Sequence, residues 1–342
     1  MSNELPLVCI CVPTYNAVNT VRETLESILT QTYSNLVVHV SDNASTDDTL
    51  KVIESLGDSR IIIHRNTENI GGEGNFDRCI HLAEGKYTAI FHADDIYKPD
   101  MVAKQVSFLE NNPDISAVFT EADKIDERGV VFGAIGHAPG AKSTVSLFDF
   151  QNLLQTMLLH HNFLICPSAM VRTEIYKDGI REWGNNIYKS SSDVDVWLRL
   201  AKINPIGVLG EKLMGYRISK EQFSDRIRNR TERTDFFMVM DNYLAKLEVC
   251  EFITDSDIRH YRWLERHECV ALSINLCALG RNEEAKNLLN DFFILDSLHA
   301  AISSRLGFVT FAAVVILRAI LLMERVIDTA KVAKSIKEIS WR

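Results

Sequence analysis

The chain has 342 residues, 46% hydrophobic and 24% charged, which suits a globular protein of more than one compact unit and excludes extended disorder. A net charge of −9 excludes general nucleic-acid binding, which needs a basic surface. It leaves room for a nucleotide whose phosphates are met by one metal ion and a few arginines.

The first 120 residues alternate strand and helix signals. "LVCICVP" is a continuous apolar run, the pattern of a strand buried on both faces. "NTVRETLESILTQ" then carries Val21, Leu25, Ile28 and Leu29 at helical spacing, with Asn19 or Thr20 as its N-cap. "NLVVHVSD", "RIIIHRN" and "YTAIFHADD" predict further strands, and "STDDTLKVIESLG" and "GNFDRCIHLAEG" predict the helices between them. The fold class is therefore α/β, with a mostly parallel central sheet flanked by helices. Ligands of such sheets bind beyond the C-terminal ends of the strands, and the residues standing there are rich in Asp and Asn.

Further along, "RGVVFGAIGHAPGAKS" is glycine-rich and weakly periodic and reads as a loop. "SSSDVDVWLRLAKINP" reads as a turn entering a helix, capped by Ser191 or Ser192, and "IGVLGEKLMGYRIS" as short strands. From about Thr231 the pattern is almost wholly helical, so we divide the chain into residues 1–230 and a helical region, 231–342.

Several segments admit both a structural and a chemical reading. "SDNASTDDT" is either a capped strand-to-helix turn or a site where Asp42 accepts hydrogen bonds from a nucleobase or ribose. Neither a P-loop nor a GxGxxG fingerprint is present, so nucleotide phosphates need another partner. "NIGGEGN" is a glycine-rich loop or a place where backbone approaches a nucleotide closely. Asp94 and Asp95 stand in a solvated turn or hold Mg2+ or Mn2+, which favour carboxylate oxygens together with phosphates. Asp193 and Asp195 cap a helix, or one of them is a general base. The basic stretch "GYRISKEQFSDRIRNR" is a solvated face or a loop in which Arg217 and its neighbours clamp a diphosphate. The seven cysteines, with no CxxC pair, read as reduced core thiols.

Taken in order, "VPTYNAVNTVRETLESILTQTYSNLVVHVSDNASTDDT", "NIGGEGNFDRCI", "FHADDIYKPD", "SSDVDVWLRL" and "YRISKEQFS" resemble the family 2 glycosyltransferases of GT-A (Rossmann-like) fold. The resemblance spans residues 5–225 and implies inverting transfer from a nucleotide-sugar donor, a UDP-sugar being expected, with a divalent cation (Mn2+ or Mg2+) on the diphosphate. It implies that Pro13, Tyr15 and Asp42 line the base pocket and that Asn69 and Gly71 lie beside the nucleotide. Asp94 and Asp95 correspond to the metal and ribose site, and Asp193 to the base that deprotonates the acceptor hydroxyl. Three positions depart from the family pattern. His92 stands where many members have a carboxylate, Ser192 where many have Glu, and Ser219 where many have His.

The most apolar stretch, Leu306 to Met323, is a spanning helix, a buried or dimer-forming helix, or a helix lying on a membrane surface. The lysines after it (Lys331, Lys334, Lys337) favour anionic lipid. The N-terminus lacks the basic start and apolar run of a secretory leader, so the expected location is the cytosol, including the inner face of the membrane. The expected acceptor is a glycan or lipid-linked oligosaccharide of surface polysaccharide synthesis. The alternative function is a non-catalytic nucleotide-sugar-binding partner in a polysaccharide assembly complex.

Overall fold

The computed structural model describes residues 4–135, 144–184, 187, 188, 190–219, 229–290, 305–323 and 328–340. The chain divides into two compact units, one of Met1–Met157 with Asn162–Lys220, the other of Leu158–His161 with Glu221–Arg342.

The first unit is built on a mixed sheet. Its strands are β1 (Val8–Thr14), β2 (Leu36–Asp42), β3 (Ile61–Arg65), β4 (Tyr87–Ile90), β5 (Ile96–Tyr97), β6 (Ala117–Ile125), β7 (Val131–Ile135), β8 (Val145–Phe148), β9 (Met170–Arg172) and β10 (Ile206–Arg217), in the order 3-2-1-4-9-6-10-5. β7 pairs with β6 and β8 with β10. Strands 3-2-1-4 are parallel, and so are β6 and β10, whereas β9 runs antiparallel to both β4 and β6.

The apolar run of the first strand explains its central place. Val8, Ile10 and Val12 point into one face of the sheet, covered by Val21, Leu25 and Ile28 of helix α1 (Val21–Leu29) and by α4 (Met101–Asn111). Each such side chain contributes about 1.5–3 kcal/mol on burial. Cys9 and Cys11 face the other side, where the Cys11 thiol donates to the carbonyl of Cys79 on α3 (Gly71–Leu82). All three are free thiols buried in the core, as expected, whereas Cys250 is exposed and departs from that reading. Gly85, which joins α3 to β4, has φ +70°, and a Cβ there would meet the Leu7 carbonyl at 2.5 Å, so only glycine fits the turn.

Two sequence expectations change. The stretch read as a loop after β6 supplies β7, and its residues 136–143 lie outside the described residues. Val131 and Phe132 are exposed on an added strand, so they carry no core alternation that would have marked it. The short strands expected near residue 210 are one strand, β10, with irregular register around Leu209–Met214.

The second unit is helical, with α5 (Phe150–His160) leading into it. It comprises α7 (Asp235–Leu244), α8 (Leu247–Cys250), α9 (Asp255–Ala278), α10 (Asn282–Leu289), α11 (Arg305–Leu322) and α12 (Thr329–Ser340). Thr254 and Asp257 form a reciprocal capping box at the start of α9. Val314, Leu317 and Leu321 of α11 pack into a core with Leu276 and Leu289, while Phe308, Val315, Ile316 and Leu322 stay exposed. Arg318, the one charge within α11 after its first residue, turns to the carbonyls of Leu289 and Asn290 at the end of α10. Among the described residues, no helix is long and apolar enough to cross a membrane.

Candidate active site

Parallel register brings Thr14, Asp42 and Arg65 into one row at the ends of β1, β2 and β3. Asp42 is fully buried. Its Oδ2 accepts from the Ser45 backbone N–H at 3.1 Å and lies 3.8 Å from Arg65 Nε, while its Oδ1 has no hydrogen-bond partner. A buried carboxylate oxygen without a donor is costly, and a bound nucleobase would supply one. Pro13 and Tyr15 flank Thr14, the residue opposite Asp42 in the β1–β2 register, with Tyr15 half-exposed. The turn after Tyr15 is fixed by Asn16, at φ 49°, whose N–H donates to Ser45 Oγ and whose Oδ1 accepts from the Thr46 N–H.

Asn69 and Gly71 are held beside this row through Asn43. The Asn43 side chain donates to Asn69 Oδ1 and to the Gly71 carbonyl and accepts from the N–H of Ile70. Asn66 donates to the same Asn43 Oδ1. Sequence reading missed Asn43 as this hub, because an Asn after a strand reads equally well as a turn residue.

After β4 the chain turns through His92, Ala93, Asp94 and Asp95. Ligand atoms of His92, Asp94 and Asp95 lie within 4.8 Å of one another. Asp95 is 1% exposed, and its Oδ1 accepts from the Arg217 backbone N–H at 2.8 Å. Asp95 Oδ2 and His92 Nε2 are buried without hydrogen-bond partners. Burial, and then Asp94, push the Asp95 carboxyl well above the usual range. Burial lowers the His92 pKa, with Asp94 opposing, so the ring is neutral and offers a lone pair. An imidazole and two carboxylates, two of their ligand atoms buried and unsatisfied, fit a divalent cation.

Arg217, expected to clamp a diphosphate, is turned inward. It is 2% exposed at the end of β10, and its guanidinium donates to the carbonyls of Asp94, Asp126 and Glu127 and pairs with Glu23 at 2.5 Å. Turned inward in this way, the side chain holds the backbone of the Asp94–Asp95 turn. The basic residues 220–228 that follow lie outside the described residues.

Asp193 is the second residue of α6 (Ser192–Ile203) and is half-buried. Burial pushes its carboxyl up to about 6, although Asn162 donates to its Oδ2 at 3.1 Å. Ser191 takes the N-cap position without a side-chain cap bond. The Cys166 thiol feels both Asp193 and Asp95, so these carboxylates border one region. Asp195, the other carboxylate considered as base, pairs with Arg199 at 2.8 Å. That arginine in turn holds the carbonyls of Ile180, Glu182 and Trp183. Asn162 and Glu73, which hydrogen-bonds Ser192, had no signal in the sequence, because each reaches the site across a long chain separation.

The Glycosyl transferase family 2 model matches residues 9–180. The chain belongs to this family, has the GT-A fold and is a transferase. It is 36% identical over 149 residues to the Escherichia coli UDP-Glc:alpha-D-GlcNAc-diphosphoundecaprenol beta-1,3-glucosyltransferase WfaP, a match covering 44% of this chain and 58% of that one. Among solved structures it is similar to S. aureus TarS 1-349 in complex with UDP-GlcNAc, with TM-score 0.60 and 18% identity over 93% of this chain and 91% of that one. It is also similar to the Pyrobaculum calidifontis mannosyltransferase in complex with GDP-Man and Mn2+, with TM-score 0.51 and 16% identity over 94% and 88% of the two chains. At these identities the likeness to solved structures is one of fold.

Proposed function

We propose that the protein is an inverting glycosyltransferase that moves a sugar from a UDP-sugar to a hydroxyl of a glycan or lipid-linked acceptor in surface polysaccharide synthesis. The observation that carries this reading is the trio of buried atoms without hydrogen-bond partners, Asp42 Oδ1, His92 Nε2 and Asp95 Oδ2, at the ligand end of the sheet. Asp42 receives a base N–H, and Pro13 and Tyr15 flank the base. Asn69 and Gly71, fixed by Asn43, line the nucleotide.

His92, Asp94 and Asp95 hold the divalent cation, which when bound offsets the charge of the diphosphate. Asp193 takes the proton of the acceptor hydroxyl. The hydroxyl oxygen then bonds to the anomeric carbon as the bond to the diphosphate oxygen breaks, and that electron pair leaves with the diphosphate. One displacement inverts the anomeric carbon. A carboxyl titrating at about 6 is ionised at neutral pH and still basic enough for this transfer.

Residues 1–230 carry donor binding and chemistry on this reading, and 231–342 carry acceptor or peripheral membrane contacts. The donor and diphosphate-lipid acceptor in WfaP's name support the pathway assignment. Calorimetry with UDP, GDP and dTDP, with and without Mn2+, tests the site. Mn2+-dependent binding of UDP is expected, and absence of binding by all three to folded protein overturns the reading.

A further inference from the structure

The nucleotide-side loop and the helix bearing the base are joined by helix α3. Its residues Glu73, Phe76 and Asp77 share one face, three and four positions apart. The Ser192 hydroxyl, one residue before Asp193, hydrogen-bonds Glu73 Oε1. Asp77 accepts from the Trp183 N–H at 2.5 Å. Phe76 meets Trp183 at 4.5 Å and His92 edge-on at 5.7 Å, and Trp183 in turn meets Trp197, one turn beyond Asp193, at 5.4 Å. A Cβ on Gly184 would stand 3.1 Å from the Glu73 carboxylate, so glycine leaves that carboxylate its room. The start of α3 is fixed as well, since the Gly71 carbonyl and the Ile70 N–H, just before Glu73, are both bonded to Asn43, beside Asp42.

We infer that Glu73 is a positioning residue whose hydrogen bond to Ser192 couples the nucleotide-bordering loop to the first turn of α6, and so sets Asp193 against the donor. This rests on the reading of Asp42 as nucleotide-binding and Asp193 as base. Glu73 touches neither reacting atom. It acts through Ser192, and its amide isostere keeps the accepting oxygen. Ser192 has a single proton and a second acceptor, the Tyr188 carbonyl at 2.7 Å, so without Glu73 the hydroxyl turns to Tyr188.

The test uses the full chain as wild type, Glu73→Ala, Glu73→Gln, Ser192→Ala, the double variant and Asp193→Asn. UDP with Mn2+ is the binding probe, and release of UDP from UDP-glucose is the turnover assay. In the wild type, UDP is expected to slow amide hydrogen exchange in residues 192–199. In Glu73→Ala that slowing is lost while the Kd for UDP stays within about twofold, and kcat falls about 10–100-fold. Ser192→Ala matches it, the double variant is no worse than either single one, and Glu73→Gln stays within about threefold of wild type. Unchanged exchange and kcat in Glu73→Ala, additive losses, or a Glu73→Gln as impaired as Glu73→Ala overturn the inference. Failure of the wild type to bind UDP, or full turnover by Asp193→Asn, sinks the functional reading instead.

Discussion

In the sheet unit, the buried carboxylates at the strand ends each keep an oxygen without a hydrogen bond. In the helical unit, the carboxylates around its own cavity of about 500 Å3 are matched by arginines. There Arg233 pairs with Asp241 and Glu265, and Arg230 pairs with Glu268 at 2.9 Å. Asp42 and Asp95 are as deeply buried as Glu268 but present an oxygen that nothing in the chain fills. Leaving a buried polar atom unmet costs about 1–3 kcal/mol, so a fold retains it where a ligand completes it. Paired charges hold a scaffold, and unmet ones mark where the molecule expects company.

The contrast can be broken at its extremes. Asp193→Asn is expected to lower kcat about 10²–10⁴-fold with UDP affinity unchanged, read from initial rates and calorimetry side by side. Arg217→Met removes the inward guanidinium under Asp94–Asp95 and is expected to cost about 3–5 kcal/mol in urea unfolding and to weaken Mn2+-dependent UDP binding with it. Loss of binding at full stability would return Arg217 to the role of a direct clamp. Glu268→Ala, in the helical unit, should cost about 3 kcal/mol yet leave UDP affinity untouched, because it strips a partner from Arg230 and the Thr234 N–H. Asp42→Asn should raise the UDP Kd about tenfold while leaving stability level or higher. The mildest effect is that of pH. As the proposed base, Asp193 would work ionised, and burial pushes its carboxyl up to about 6, so kcat should be half its plateau near there, fall about tenfold per unit below, and stay flat above pH 7.

Much of the sheet unit was legible because its first strands are continuous apolar runs separated by helices whose apolar residues recur every three or four positions. β7 was not, because it puts Val131 and Phe132 into solvent. The strand-end rule singled out Asp42 and the Asp94–Asp95 turn as candidates, since a polar residue closing an apolar run is visible in one dimension. What fixes those residues was not visible. Asn43 and Glu73 act through partners brought near only by the fold, and local basicity around Arg217 cannot tell a guanidinium facing solvent from one buried under a turn. In the helical region the apolar run of α11 was plain, but only the structure turns Arg318 toward the end of α10.

The position of Arg217 bears on when the molecule becomes competent. Its guanidinium meets Glu23, 194 residues earlier, and its N–H meets Asp95, 122 residues earlier. During synthesis the Asp94–Asp95 turn is made early but stays unanchored until the last strand of the sheet is laid beside β6. A growing chain therefore carries His92, Asp94 and Asp95 long before it can hold them in place, and the final residue of β10 acts as the clasp that closes the turn.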